Sequence, residues 1–265
     1  MTKKQLSMND TSFKTSLMEK IAYGMGDTAC NVVFAITSSL IVYFYTNVIG
    51  MSAALVGTIL LASRVFDGIS DLLIAQIVDK VNSPKGKARA WILWMAAPYG
   101  IASVLMFCVP PHSSTMVQAI YVFITYNLCT TVYTALNLPY SNLAPMMTRN
   151  DDDLAKLNLF RMAMSPIGNL IVTALTLPFI NMLGGGQQAW ITVCAIYSIV
   201  AFFMLLFCYK GCQERFHTDA AKEAEAMPFA QRLKATLKNK YFIVLTLTMI
   251  AVALYQNVNG TVATY

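Results

Sequence analysis

In the stretch "ASRVFDGISDLLIAQIVDK" (residues 62–80), Arg64, Asp67 and Asp71 interrupt a run that is otherwise strongly apolar. On a helix these positions fall at i, i+3 and i+7, hence on one face, with Ser70 beside it. An Asp or Arg at the centre of a membrane helix costs about 2.5–3.5 kcal/mol. Three such groups facing lipid would cost about 8–10 kcal/mol, comparable with the whole stability of many domains. They are therefore expected to face a bundle interior, water or one another. Arg64 can grip one carboxylate bidentately, which leaves a second acid wanting a proton or a small cation. The expected chemistry is binding of a coupling ion, H⁺ or Na⁺. An interhelical Arg–Asp staple is the rival reading of Arg64, but a staple needs one acid, not two.

Other polar groups lie in similarly apolar surroundings. "TYNLCTTVYTALNLPY" (residues 125–140) sets Thr130, Tyr133, Thr134 and Asn137 along one face by 3–4 spacing. Asp27 and Asn31 stand at i, i+4 in the first apolar run. Arg161 is a lone guanidinium in an apolar setting and needs an acceptor, so it is the first candidate for substrate binding. A pair with Asp27, or snorkelling toward the cytoplasm, would satisfy Arg161 as well. Asp27 lies near the cytoplasmic end of its span, where capping or gating fits as well as substrate contact. Pro139 is expected to end the fourth span, and Pro166 with Gly168 either to mark a fifth span that lines an interior or to kink it for packing alone.

The elements that must position these groups are membrane helices. The chain has 265 residues, 57% of them hydrophobic and only 12% charged, against about 25% charged residues in soluble domains. Apolar runs near 21–46, 52–78, 91–109, 116–138, 159–183, 188–209 and 241–265 approach the ~20 residues needed to cross the hydrocarbon core. The first run is too long for a cleaved signal peptide and follows a polar segment. Of the 19 Lys and Arg, Arg64 and Arg161 fall within spans; the other 17 lie in the N-terminal segment or in alternate loops, seven of them from Lys210 to Lys240. The opposite loops carry none. The positive-inside rule then places the N-terminus and the 210–240 loop in the cytoplasm of a cell-membrane protein. The net charge of +6 is a topology signal spread over several loops, which excludes a nucleic-acid-binding face. Six scattered cysteines without C-x2-C spacing or His partners are expected to act as small buried hydrophobes.

The organisation predicted is all-α: residues 1–20 cytoplasmic, a six-helix transmembrane bundle over 21–209, a cytoplasmic linker over 210–240, and a seventh span over 241–265. Six spans, a long loop and the start of another resemble one half of a six-plus-six transporter. The chain stops at the end of the seventh span, so it is expected to be a fragment whose partner is a missing C-terminal half.

At these residues the chain resembles the glycoside–pentoside–hexuronide:cation symporters, the melibiose-carrier family within the major facilitator superfamily. The matching motifs are "YGMGD" in span one, "YFYTNVIGMSAALVGTILLASRVFDGISD" across spans one and two, "GKARAW" before span three, "YTALNLPYSNLAP" around the end of span four and "FRMAMSP" entering span five. The resemblance implies a cation site at Asp67 and Asp71, the metal ligands if the ion is Na⁺, with Ser70 and Thr134 as neighbouring oxygens. It also implies a sugar site at Asn31, Tyr133, Asn137 and Arg161, near which Asp27 and Arg64 lie. Asn31 and Asn137 stand where galactoside carriers have carboxylates, and Ser70 where the sodium-using melibiose carrier has an amide. The first departure points to an anionic sugar, a hexuronide or sulfonated sugar, with a neutral pentoside as rival; the second leans toward proton coupling. No cofactor is implied beyond the coupling ion.

Two other readings stay open from sequence alone: a lysolipid-type carrier of the same fold, and a non-transporting membrane sensor or assembly protein. An enzyme is not expected, since no metal-ligand spacing or nucleophile–base pair is present and His112 and His217 both lie in loops.

Overall fold

The computed structural model describes residues 13–81, 83, 86–216, 238–249 and 251, and it divides into two units, 1–217 and 218–265. The first unit contains six long helices: α1 (Leu17–Ser39), α2 (Ala53–Lys80), α3 (Lys87–Leu105), α4 (Thr115–Ser141), α5 (Asp151–Met182) and α6 (Gln187–Gly211). After α1 the chain continues through a helical turn, Ile41–Tyr43, and a π-helical turn, Phe44–Val48. A short helix, Ala144–Met147, leads into α5. In the second unit the described residues include an apolar helix, Lys240–Met249. The rest of the seventh expected span, and most of the 210–240 linker, lie outside the described residues.

Five of these helices are long and apolar enough to cross a membrane: α1 with its extension to Val48, α2 to Val78, α4 with its extension to Met147, α5 and α6. The third expected span, α3, does not meet that measure. It is 19 residues long and carries Lys87, Arg89 and Pro98, and Trp91, Trp94 and Tyr99 lower its mean hydropathy. Contrary to the expectation from sequence, Pro139 does not end the fourth span; it sits inside α4, which runs on to Ser141. Pro166 and Pro178 lie within α5. A membrane helix keeps such prolines because neighbouring helices and local adjustment satisfy the freed backbone groups.

Helix starts follow capping rules. Ser16 and Glu19 form a capping box on α1, with Glu19 N–H donating to Ser16 Oγ and Ser16 N–H donating to Glu19 Oε2. Ser52 caps α2, and Asn150 caps α5, whose first turn carries three aspartates against the positive end of the helix dipole. The N-terminus of α3 is capped from a distance. Gly86 offers no side chain, and Glu214 accepts from Lys87 N–H at 2.8 Å and Arg89 N–H at 2.7 Å. Gly86 has φ +102°, and a Cβ there would approach Glu214 Oε1 to 2.6 Å, so this position needs glycine for both conformation and space.

The segment that carries Glu214 stitches several helix ends together. Arg215 pairs with Glu19, and the N–H groups of Arg215 and Phe216 both donate to Met146 O. Arg89 in turn donates to Tyr209 O, closing α3 onto the end of α6. At α5, Asp153 accepts from Thr15 N–H and Oγ1–H and pairs with Lys20 at 2.8 Å.

In the bundle, α1 packs on α5 and α6, α3 packs on α4 and α6, and α2 packs on α4. Small residues permit the closest approach, as at Gly168 on α5, where any Cβ would run into the Thr28 methyl of α1. Buried tyrosines spend their hydroxyls on carbonyls of other helices: Tyr99 on Cys30 O and Tyr140 on Tyr23 O. Five of the six cysteines are buried and all are free. The least enclosed of the five long apolar helices are α2 and α5, which carry Arg64, Asp67, Asp71 and Arg161. Replacing Glu214 with Ala is expected to lower stability by about 1–2 kcal/mol, the scale of a lost helix cap, read as a lower thermal-unfolding midpoint in detergent.

Candidate functional site

The polar residues singled out in the sequence gather into two clusters that meet on α4. The first joins α2 to α4. Thr130 Oγ1 donates to Asp67 Oδ1 at 2.8 Å, and Thr134 Oγ1 donates to Asp71 Oδ1 at 2.7 Å. Each pair is separated by 63 residues because α2 and α4 run parallel, so one turn along one helix matches one turn along the other. One turn earlier, Asn127 Nδ2 donates to Ser63 Oγ at 3.0 Å, completing a ladder of three polar rungs. Ser63 and Asn127 are buried, where an unpaired polar group would cost about 1–3 kcal/mol.

Among the described residues, no base is hydrogen-bonded to either acid on this ladder. Arg64 Nη1 stands 4.0 Å from Asp67 Oδ2, at the limit of an ion pair and beyond hydrogen-bond range. The Arg64 side chain is 68% exposed and that of Asp67 16%. Ser70 turns its hydroxyl to the backbone carbonyl of Asp67 at 3.1 Å rather than to either carboxylate. Two carboxylates one helical turn apart, each held by a neutral hydroxyl, keep lone pairs for a further partner. Carboxylate and hydroxyl oxygens are hard donors, suited to a proton or a hard cation.

The second cluster joins α1, α4 and α5. Arg161 Nε lies 3.0 Å from Asp27 Oδ1, with side chains 30% and 11% exposed. Asn31 Nδ2 donates to Asp27 O at 2.9 Å and reaches Asp27 Oδ2 at 3.3 Å. The Arg161 guanidinium also lies over the Tyr140 ring, 5.5 Å from its centroid. On α4, Asn137 Nδ2 reaches Tyr133 Oη at 3.4 Å. Tyr133 stacks on Phe34 of α1 and leans toward Tyr99 of α3, so these rings make an aromatic wall beside the polar groups.

The fold thus brings Asp27, Asn31 and Arg161 together, sets Asn137 against Tyr133, and aligns Asp67 and Asp71 with α4. Arg161 is satisfied by Asp27, the pairing that its isolation in sequence left open. Sequence reasoning placed Thr130 on the polar face of α4 but missed it as the partner of Asp67. The signal was its four-residue offset from Thr134, which mirrors the offset of Asp67 from Asp71. Asn127 and Ser63 were missed as a rung, since nothing local marks them. Among the described residues no group of three or more His, Cys, Asp and Glu could hold a metal ion.

Comparison with known proteins places this architecture. Residues 22–265 match the profile of the family described as "MFS/sugar transport protein", and the chain belongs to that family. It is a multi-pass membrane protein of a transporter family. It is 32% identical over 256 residues to the uncharacterized symporter YnaJ of Bacillus subtilis, covering 95% of this chain and 55% of that protein. It is 38% identical over 205 residues to the inner membrane symporter YicJ of Escherichia coli, covering 76% and 44%. It is 31% identical over 225 residues to an isoprimeverose transporter of Lactiplantibacillus pentosus, covering 83% and 46%. The chain spans about half the length of these relatives.

The Asp27–Arg161 pair gives a direct test of the second cluster. Asp27→Asn and Arg161→Gln are each expected to cost about 1–3 kcal/mol by stranding the opposite charge, and the double variant less than their sum. Thermal unfolding of the four proteins in detergent closes the cycle.

Proposed function

We propose that the protein containing this chain is a secondary active transporter that carries a glycoside, pentoside or hexuronide across the cell membrane together with a cation, H⁺ or Na⁺. The reading rests first on Asp67 and Asp71, two acids one turn apart on a membrane helix, each held by a threonine of α4 and neither, among the described residues, hydrogen-bonded to a base. Membership of a sugar-transport family and likeness to proteins named as symporters support it. Such a carrier places its N-terminus and the 210–240 linker in the cytoplasm, and its substrate path between this bundle and a second one supplied by the rest of the protein.

In this mechanism the empty acid pair carries charge that opposes movement through the bilayer. A cation bound by Asp67 and Asp71 offsets it, with the Thr130 and Thr134 hydroxyls turning lone pairs to the ion and Ser70 in the adjoining turn. The loaded bundle can then bind sugar at the Tyr133, Asn137 and Asn31 surface and rock against the other half. Arg161 and Asp27 hold α5 to α1 beside that surface, so both affect sugar binding through its shape. Coupling is reciprocal: sugar tightens the cation by the factor by which the cation tightens sugar.

Uptake of radiolabelled glycoside by cells expressing the complete protein tests the reading. Asp67→Asn and Asp71→Asn are expected to abolish accumulation against a gradient; accumulation at the wild-type level in Asp67→Asn would sink it. Thr130→Val is expected to raise the cation concentration for half-maximal uptake about tenfold, the scale of losing a hydrogen bond to a charged group, with recovery in Thr130→Ser.

A further inference from the structure

Two guanidinium groups sit on the membrane helices near the clusters described above, and they are in different states. Arg161 is occupied: Asp27 lies 3.0 Å away, and the Tyr140 ring lies under the guanidinium. Arg64 is not. Asp67 is 4.0 Å away, and among the described residues no acceptor lies within hydrogen-bond range of the guanidinium. About 11 residues from the start of α2 puts Arg64 roughly 16 Å along the helix, close to the middle of a hydrocarbon core about 30 Å thick. A guanidinium with five unused donors at that depth needs an acceptor.

Arg64 also lines a pocket. Its other walls include Phe34 of α1, Tyr99 of α3, and Tyr126, Thr130 and Tyr133 of α4. Tyr99 and Tyr126 are buried, so the accessible part of this wall is Phe34 and Tyr133. Beside a cation and a hydroxyl they offer an apolar surface for a sugar ring and a forked donor for a carboxylate or sulfonate. Thr130 belongs both to this pocket and to the Asp67 rung, so the pocket adjoins the acid pair.

We propose that Arg64 is the specificity-determining residue for an anionic substrate: its guanidinium binds the carboxylate or sulfonate of a glycoside whose ring lies against Phe34 and Tyr133 at the mouth of this pocket. The proposal rests on the symport reading above and moves anion recognition from Arg161, where the sequence had placed it, to Arg64. It also gives the coupling a physical link. Asp67 faces both the cation position and Arg64. A cation held by Asp67 and Asp71 takes up the carboxylate charge that otherwise attracts Arg64, which frees the guanidinium to turn to the substrate.

The test uses the complete protein in proteoliposomes at a fixed saturating cation concentration. Dissociation constants are measured for methyl β-D-glucuronide, a methyl 6-sulfoquinovoside and neutral methyl β-D-xyloside. Arg64→Gln is expected to lower the anionic-to-neutral affinity ratio about 30-fold, the scale of losing a charged hydrogen bond, and Arg64→Lys is expected to recover part of it. The two anionic ligands distinguish carboxylate from sulfonate recognition. A ratio within threefold of wild type in Arg64→Gln overturns the proposal, including the case in which all affinities fall together. So does a wild-type protein that binds the xyloside and neither anion. In both cases the symport reading stands as long as Asp67→Asn abolishes cation-driven accumulation. If Asp67→Asn accumulates glycoside like the wild type, the symport reading falls, and this proposal falls with it.

Discussion

An ionisable side chain inside a bilayer must find its partner on another helix, because lipid supplies none and its own helix backbone is already hydrogen-bonded. That constraint organises the bundle. Asp27 on α1 takes Arg161 from α5; Asp67 and Asp71 on α2 take threonines from α4. At the helix ends, Asp153 takes Lys20, and Glu19 takes Arg215. Each contact joins segments far apart in sequence. The polar groups costliest to strand are thereby also the ones that specify which helices meet and in what register.

The two kinds of partner have different consequences. A carboxylate bound to a guanidinium at 3.0 Å, as at Asp27, is saturated in charge and acts as a strut. A carboxylate bound to a neutral hydroxyl, as at Asp67 and Asp71, keeps its charge and its remaining lone pairs. In the proposed mechanism hydroxyls suit such a place, because they can donate to a carboxylate and can also accept, turning a lone pair to a cation. Thr130 has a second acceptor ready for its proton, the carbonyl of Asn127 at 3.1 Å, so the same side chain can serve both states without moving the helix.

The position of these groups in the bundle fits that division. Helices α1, α3, α4 and α6 form the more enclosed body, closed at one end by the segment that carries Glu214 and Arg215. Helices α2 and α5 are the least enclosed, and α2 presents the acid pair and Arg64. In the transport cycle proposed above, such a body would let the site stay assembled while its surroundings move.

Much of this was legible in the residues. Apolar run length and the one-sided distribution of Lys and Arg settle that the chain is a bundle of membrane helices, because a span needs about 20 apolar residues whatever its neighbours are. The 3–4 spacing of Arg64, Asp67 and Asp71 puts them on one face by helix geometry alone. Which helix supplies each partner was not legible: Thr130 to Asp67, Asn127 to Ser63 and Glu214 to the start of α3 link residues 63, 64 and more than 120 positions apart, and no local pattern encodes such distances. Nor could spacing decide that Arg161 would be spent on Asp27 while Arg64 kept its donors. That depends on how closely two helices approach, which is set by small residues such as Gly168 on faces that meet only once the chain has folded.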